Sequence, residues 1–307
     1  MGKVKTHFKP DFFIPGAAKS GTSTLHNLLN THPEISMSRN KEPVYWNNKS
    51  FDKFNDFEKN RYEKMFDMNA KIKGESTTSY MYYDSYLKNI KKNYEKSPKF
   101  IFILRNPIDR YISHVNWMIG LGKEKNNLKQ IIKEGFTKEF KEYEDYPKNY
   151  YQFGLYNKWI TRFIENFGIE NIKVISFESL ISDRVNVINS CFEFLGVSKL
   201  KHVKDIRSNK TKKILFPSAF HLMRRISTGK VRYTKFVKYI IPKKIRLKVK
   251  LYLKYLLNNW ISNELKNKKL KNKYRKLLLN AYSKDVKIFK NKLNYNFSEW
   301  KDFKNNK

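Results

Sequence analysis

Residues 11–25, DFFIPGAAKSGTSTL, constrain the fold of this chain more than any other stretch. The apolar run Phe12, Phe13, Ile14 stops at Pro15-Gly16. A loop of small residues with one lysine follows, and a helical pattern opens at Thr24 with Leu25, Leu28 and Leu29 on one face. A strand feeding a glycine loop and then a helix N-terminus is a phosphate cradle. The first helical turn offers backbone N–H groups and the positive end of the dipole, and the glycines let the backbone close on an anion. Lys19 adds a cation, and Thr22 and Ser23 add hydroxyl donors. The spacing Gly16-x-x-x-x-Gly21 is that of a Walker A loop, but Thr stands at 22 where a nucleotide triphosphatase needs Lys. The stretch predicts a loop that holds phosphate without the usual lysine reach; a ligand-free glycine turn is the plainer alternative.

The rest of the chain supplies the remaining layers of an α/β fold. KFIFIL (99–104) is a continuous apolar run, as expected of a strand buried on both faces of a parallel sheet. It ends at Arg105-Asn106-Pro107, and a helix opens with Pro107 in its first turn. Strand patterns also occur at 71–75 and within NIKVISFESL (171–180), and an amphipathic helix is predicted at 151–167 with Leu155, Trp159 and Phe163 on one side. Another helix runs to Leu195 and stops at Gly196. Glu42 and Lys41 precede Pro43 in a segment read as extended. Alternating strands and helices predict a three-layer, P-loop-like fold with a central parallel sheet. Residues 218–260 and about 270–293 read as basic helices, so a core over 10–200 and a basic helical part over 201–307 are expected within a single domain of 1–307.

Composition bounds the function classes. The chain has 307 residues, 40% hydrophobic and 16% aromatic, which supports a sizeable core and excludes a disordered chain. The formal charge is +36, and 52 of the 64 basic residues are lysine. Such a surface suits nucleic acid, anionic lipid or acidic glycans. Dedicated phosphate readers lean on arginine, so no specific nucleic acid is expected. The single cysteine, Cys191, falls in an apolar helical pattern and reads as a core residue. One cysteine permits no internal disulfide, and no run approaches the roughly 18 apolar residues of a membrane span. Both point to a cytoplasmic protein, with peripheral membrane contact through the basic C-terminal helices as an added expectation. No His/Cys cluster has metal-ligand spacing, and no metal is expected.

Arg105 ends a strand, and Ser113 follows about two turns into the next helix. Together they form a second candidate anion site, since open α/β sheets bind ligands at the C-terminal ends of strands. A ligand with two separated phosphates would join the two sites. In these motifs the sequence resembles the sulfotransferases that use 3′-phosphoadenosine 5′-phosphosulfate (PAPS). GAAKSGTSTL is similar to their 5′-phosphosulfate loop, and FIFILRNPIDRYISHVNW to their 3′-phosphate motif. NKEPVYW, GESTTSYMY, FGLYNKWITRFIENF, IKVISFESL and the C-terminal NAYSKDVKIFKNKLNYNFSEW resemble further segments of the glycan O-sulfotransferases and their bacterial relatives.

The resemblance implies in-line sulfuryl transfer from PAPS to an acceptor hydroxyl, on a carbohydrate or glycolipid. The donor would be held by Gly16, Lys19, Ser20, Gly21, Thr22, Ser23, Thr24, Arg105 and Ser113. Arg207, Asn209 and Lys210 are candidates for a third phosphate-contacting loop by position alone. Lys19 would face the leaving phosphate oxygen and Glu42 would be the base; Lys41 and Glu42 would meet the acceptor, for which the lysine-rich composition suits an anionic partner. A surface carboxylate paired with Lys41 is the plain reading of Glu42. His26, His32 and His114 read as structural, Glu178 as a helix cap, and Asp109 and Arg110 as local stabilisers of their helix. Ser76 stands where many glycan sulfotransferases carry a PAPS-contacting lysine. A phosphoryl transferase with a degenerate Walker A loop, and a basic module binding nucleic acid or membrane, are the alternatives.

Overall fold

The structure is a computed structural model that describes residues 6–124, 127–204, 212–214, 248, 261–264 and 271–304. The expected basic helices at 218–260, and Arg207, Asn209 and Lys210, lie outside the described residues. The chain divides into two compact units: Met1–Ile112 with Glu134–Asn209 and Leu270–Lys307, and Ser113–Lys133 with Lys210–Lys269. In the second unit the strands Lys212–Ile214 and Ile261–Glu264 pair antiparallel.

The first unit holds the sheet. Its strands are β1 (Phe12–Ile14), β2 (Ile35–Met37), β3 (Ile72–Ser76), β4 (Lys99–Leu104) and β5 (Ile172–Ser176). They lie in the order β2-β3-β1-β4-β5, and every neighbouring pair is parallel. Ile14 pairs with Ser76 and Leu104 with Ser176, so the chain leaves β1, β3, β4 and β5 at one edge of the sheet. Backbone bonds carry the pairing past β1: Ala17 donates to the Ile103 carbonyl at 2.8 Å and Ile103 to the Gly16 carbonyl at 3.0 Å.

Each face of the sheet is covered by apolar side chains. On one side Phe12, Ile14, Ile101, Ile103 and Ile175 pack with Leu25 and Leu28 of α1 (Thr22–Leu29) and with Ile188, Cys191 and Phe192 of a helix over Arg184–Leu195. Burial pushes the Cys191 thiol up to about 12, which fits the inert core residue read from its pattern. Phe100 and Phe102 meet Phe163, from a helix over Tyr156–Phe167, edge-on at 5.2 and 5.0 Å. The C-terminal helix Asn272–Leu293 docks on that helix by a carboxylate: Asp285 accepts from the Asn157 N–H at 3.1 Å, at a helix start whose cap residue offers no side-chain bond. Among the described residues no helix is long and apolar enough to cross a membrane.

Two local readings change. Helix α1 starts at Thr22 rather than Thr24, because Gly21 takes φ 93° and its carbonyl accepts from the Leu25 N–H. Only glycine adopts that backbone geometry cheaply, so the turn closes immediately and two more residues join the helix. The segment around Glu42 is not extended: Glu42 and Val44 have φ of 60° and 54°.

Candidate active site

The loop after β1 and the residue after β4 meet across one aromatic ring. A Cβ on Gly21 would lie 2.5 Å from the Phe177 ring, and the Arg105 guanidinium sits 5.1 Å from the centroid of the same ring. Phe177 can stand there because β5 ends at Ser176, whose hydroxyl accepts from the Ser179 N–H and starts a short helix over Phe177–Ser182. Arg105 is fixed through its neighbours. Tyr156 donates its hydroxyl to the Arg105 carbonyl at 2.7 Å, and the Asn106 N–H donates to Glu178 at 3.0 Å. Glu178 also accepts from the Trp300 indole at 3.1 Å, so it ties the β4 exit to the C-terminal segment, while the cap of its helix is Ser176 and not Glu178 as its position suggested. Gly21→Ala would force a side chain into a left-handed position and against Phe177. The variant is expected to lose about 1–3 kcal/mol of stability, seen as a lower Tm in thermal unfolding.

Within this frame, Gly16 to Thr24 form the turn and the first residues of α1. That helix begins with neither a capping side chain nor an acidic residue in its first turn. Lys19 stands in the loop with φ 69°, largely enclosed. Burial, followed by the cationic Arg105, lowers its pKa to about 8; Lys41 and Arg110 push the same way, and Glu42 opposes them. The charges of four neighbours thus converge on one half-buried ammonium, and three of the four are positive. A helix N-terminus beside such a cluster has the charge complementarity that an anion of more than one charge requires.

Arg110 is the residue that sequence reasoning missed. It is fully buried, its Nη2 donates to the Tyr150 carbonyl, and its Nε and Nη1 have no partner among the described residues. An arginine beside the apolar positions Ile108, Tyr111 and Met118 of its helix was the available signal. Asp109, by contrast, pairs with Arg275 at 3.0 Å. Ser113 lies on the same helix (Pro107–Gly120), half-buried, at the first residue of the second unit.

Glu42 lies beyond β2 and is held against the end of β3. Its N–H donates to the Ser76 carbonyl at 2.9 Å, and Thr78 donates to its two carboxylate oxygens at 3.1 and 3.2 Å. Lys41 is its ion-pair partner at 2.6 Å, yet the side chain remains 40% exposed, so the carboxylate is both oriented and reachable. The histidines are engaged elsewhere. His26 Nδ1 lies 2.6 Å from the Ser76 hydroxyl, and burial drives its pKa down to about 4, so it is neutral at physiological pH. His32 bonds to the Ser198 carbonyl at 2.9 Å and accepts from the Glu34 N–H at 3.1 Å.

Comparisons with known proteins identify the chain's relatives. A family model described as a sulfotransferase domain matches residues 9–238. Human heparan sulfate glucosamine 3-O-sulfotransferase 3B1 is 26% identical over 203 residues, 66% of this chain and 50% of that protein. Mouse carbohydrate sulfotransferase 15 is 22% identical over 270 residues, covering 67% of this chain and 47% of the relative. The chain therefore spans about half the length of the curated relatives it matches. The crystal structure of a sulfotransferase from Alicyclobacillus acidocaldarius shares the fold, with a TM-score of 0.66 at 22% identity over 96% of this chain and 99% of that one.

Proposed function

The chain belongs to the sulfotransferase domain family, and from that membership we propose that it transfers the sulfuryl group of PAPS to an acceptor hydroxyl on a carbohydrate or glycolipid. The observation that carries the proposal is that the charges of Arg105, Lys41 and Arg110 all act on Lys19 at the start of α1, with the carboxylate of Glu42 acting against them. Such a cluster suits a donor whose leaving group gathers charge on a phosphate oxygen. The acceptor oxygen would attack sulfur opposite that phosphate oxygen. The new S–O bond forms as the S–O bond to phosphate breaks, and the electron pair stays on 3′-phosphoadenosine 5′-phosphate beside Lys19. The acceptor proton passes to Glu42. Lys41, paired with Glu42, is suited to orient an anionic acceptor. Relatives named for heparan sulfate and for carbohydrate support a glycan.

Thermal unfolding with added nucleotide tests the donor. 3′,5′-Adenosine bisphosphate at a hundredfold excess over Kd is expected to stabilise the protein by about 2.7 kcal/mol. Arg105→Ala is expected to remove most of that gain while leaving the unliganded Tm within a few degrees, because the side chain caps no core. A larger shift with ATP and Mg²⁺ than with the bisphosphate would replace this reading with phosphoryl transfer.

A further inference from the structure

Beneath Glu42 lies a buried carboxylate that the reaction does not use. Glu75 sits in β3 with no exposed surface, and two hydroxyls donate to it. Tyr62 donates to its Oε2 and Thr77 to its Oε1 at 2.6 Å, and the buried Tyr80 phenol acts on it electrostatically. Both tyrosines also accept from the segment that follows Glu42. The Tyr80 hydroxyl takes the N–H groups of Tyr45 and Trp46 at 3.1 and 3.0 Å, and the Tyr62 hydroxyl takes the Trp46 indole N–H at 3.0 Å. A phenol accepting from the segment keeps its own proton to give: Tyr62 spends it on Glu75, and Tyr80 has Glu75 and Thr77 beside it.

The segment so held needs holding. Glu42 and Val44 both occupy left-handed backbone, which is unfavourable for any side chain and most of all for a β-branched one. Such a turn persists only where its surroundings over-determine it. Here the anchors are the Glu42 N–H to Ser76 on one side and the two phenols on the other.

We propose that Glu75 is a positioning residue for the transfer reaction: through Tyr80 and Tyr62 its buried carboxylate clamps residues 42–46 and so sets where Glu42 meets the acceptor. The inference rests on the reading of Glu42 as the base. Burial raises the Glu75 carboxyl to about 7, and the hydrogen bonds from Thr77 and Tyr62 pull the other way by favouring the charged form. A clamp of this kind affects turnover rather than donor affinity, because Lys19 and Arg105 take no part in it.

A double-mutant cycle decides the matter, with labelled PAPS and heparan sulfate as the donor and acceptor probes. Tyr80→Phe deletes one hydroxyl and keeps the ring. It is expected to lower kcat at least tenfold, to leave the Kd for 3′,5′-adenosine bisphosphate within twofold, and to speed amide hydrogen exchange at Tyr45 and Trp46. In a Glu42→Gln background the same change should alter kcat less than twofold, since no base remains to be misplaced. Glu75→Gln, which keeps shape and one acceptor oxygen, should retain more activity than Glu75→Ala and carries the same cycle where Tyr80→Phe does not fold. Equal losses in both backgrounds, or exchange at Tyr45 and Trp46 unchanged, would overturn the clamp while leaving Glu42 as the base. Full activity of Glu42→Gln alone would overturn the base reading and the clamp with it.

Discussion

Glu42→Gln is expected to lower kcat by about 10²- to 10⁴-fold, the range for losing a positioned general base, while the bisphosphate still raises Tm as it does for the parent. The substitution keeps the shape of the side chain and one oxygen for Thr78, and it removes the ability to take a proton. The Lys41 ion pair at 2.6 Å is lost at the same time, but its partner is 40% exposed, and exposed pairs contribute only about 0–1 kcal/mol. Stability should therefore change little. Turnover and donor binding should separate because Glu42 is held by Ser76 and Thr78, whereas Arg105 and the start of α1 are held by Phe177, Tyr156 and Glu178. A variant with parental turnover would move the base elsewhere. His26 would be a poor substitute, since it is buried and bonded to Ser76.

Lys19→Met should produce the second large effect, a loss of about 10²- to 10³-fold in kcat, as when a group facing a developing oxyanion is removed. Its pH signature is specific. In the free protein Lys19 loses its proton near pH 8 rather than at its ordinary 10.5. A bound polyanion favours the charged form, so binding takes up a proton above pH 8 and affinity for the bisphosphate falls as pH rises through that value. Isothermal titration in two buffers of different ionisation enthalpy reads the proton directly, and the Met variant should show neither the uptake nor the slope.

Stability runs in the opposite sense. A lysine with a depressed folded-state pKa destabilises the fold while charged, and that penalty is relieved as pH rises from about 8 to 10.5. At neutral pH Lys19→Met is then expected to be more stable than the parent, by up to about 3 kcal/mol at roughly 1.4 kcal/mol per pH unit. A site that becomes more stable when its key cation is removed is one assembled for a ligand.

Much of the architecture was legible because it is local. The loop at 15–21 announces itself by glycine, proline and small residues between a buried run and an amphipathic one. KFIFIL reads as a sheet centre because the five side chains after Lys99 are apolar, and it lies between β1 and β5. β2 was harder: three residues at the sheet edge carry no periodicity to detect. The left-handed turn at Glu42 and Val44 was invisible for a related reason, since neither residue advertises such a backbone. Arg110 looks in sequence like a local stabiliser of its helix, and Glu75 shows only that it closes a strand beside a polar run, not which hydroxyls it meets.

What the sequence determined alone was the alternation of the longer strands with helices, the glycine loop after β1 with its lysine at 19, and an arginine at the end of β4. Each depends on neighbours within a few residues, where backbone preference and apolar spacing speak directly. Tertiary structure alone decided that Gly21 and Arg105 both meet Phe177 at one sheet edge, that Arg110 is fully buried, and that Tyr62 joins Glu75 to the Trp46 indole. Those relations join segments tens of residues apart, and their energies come from burial, which raises both the cost of an unpaired charge and the strength of each bond that offsets it.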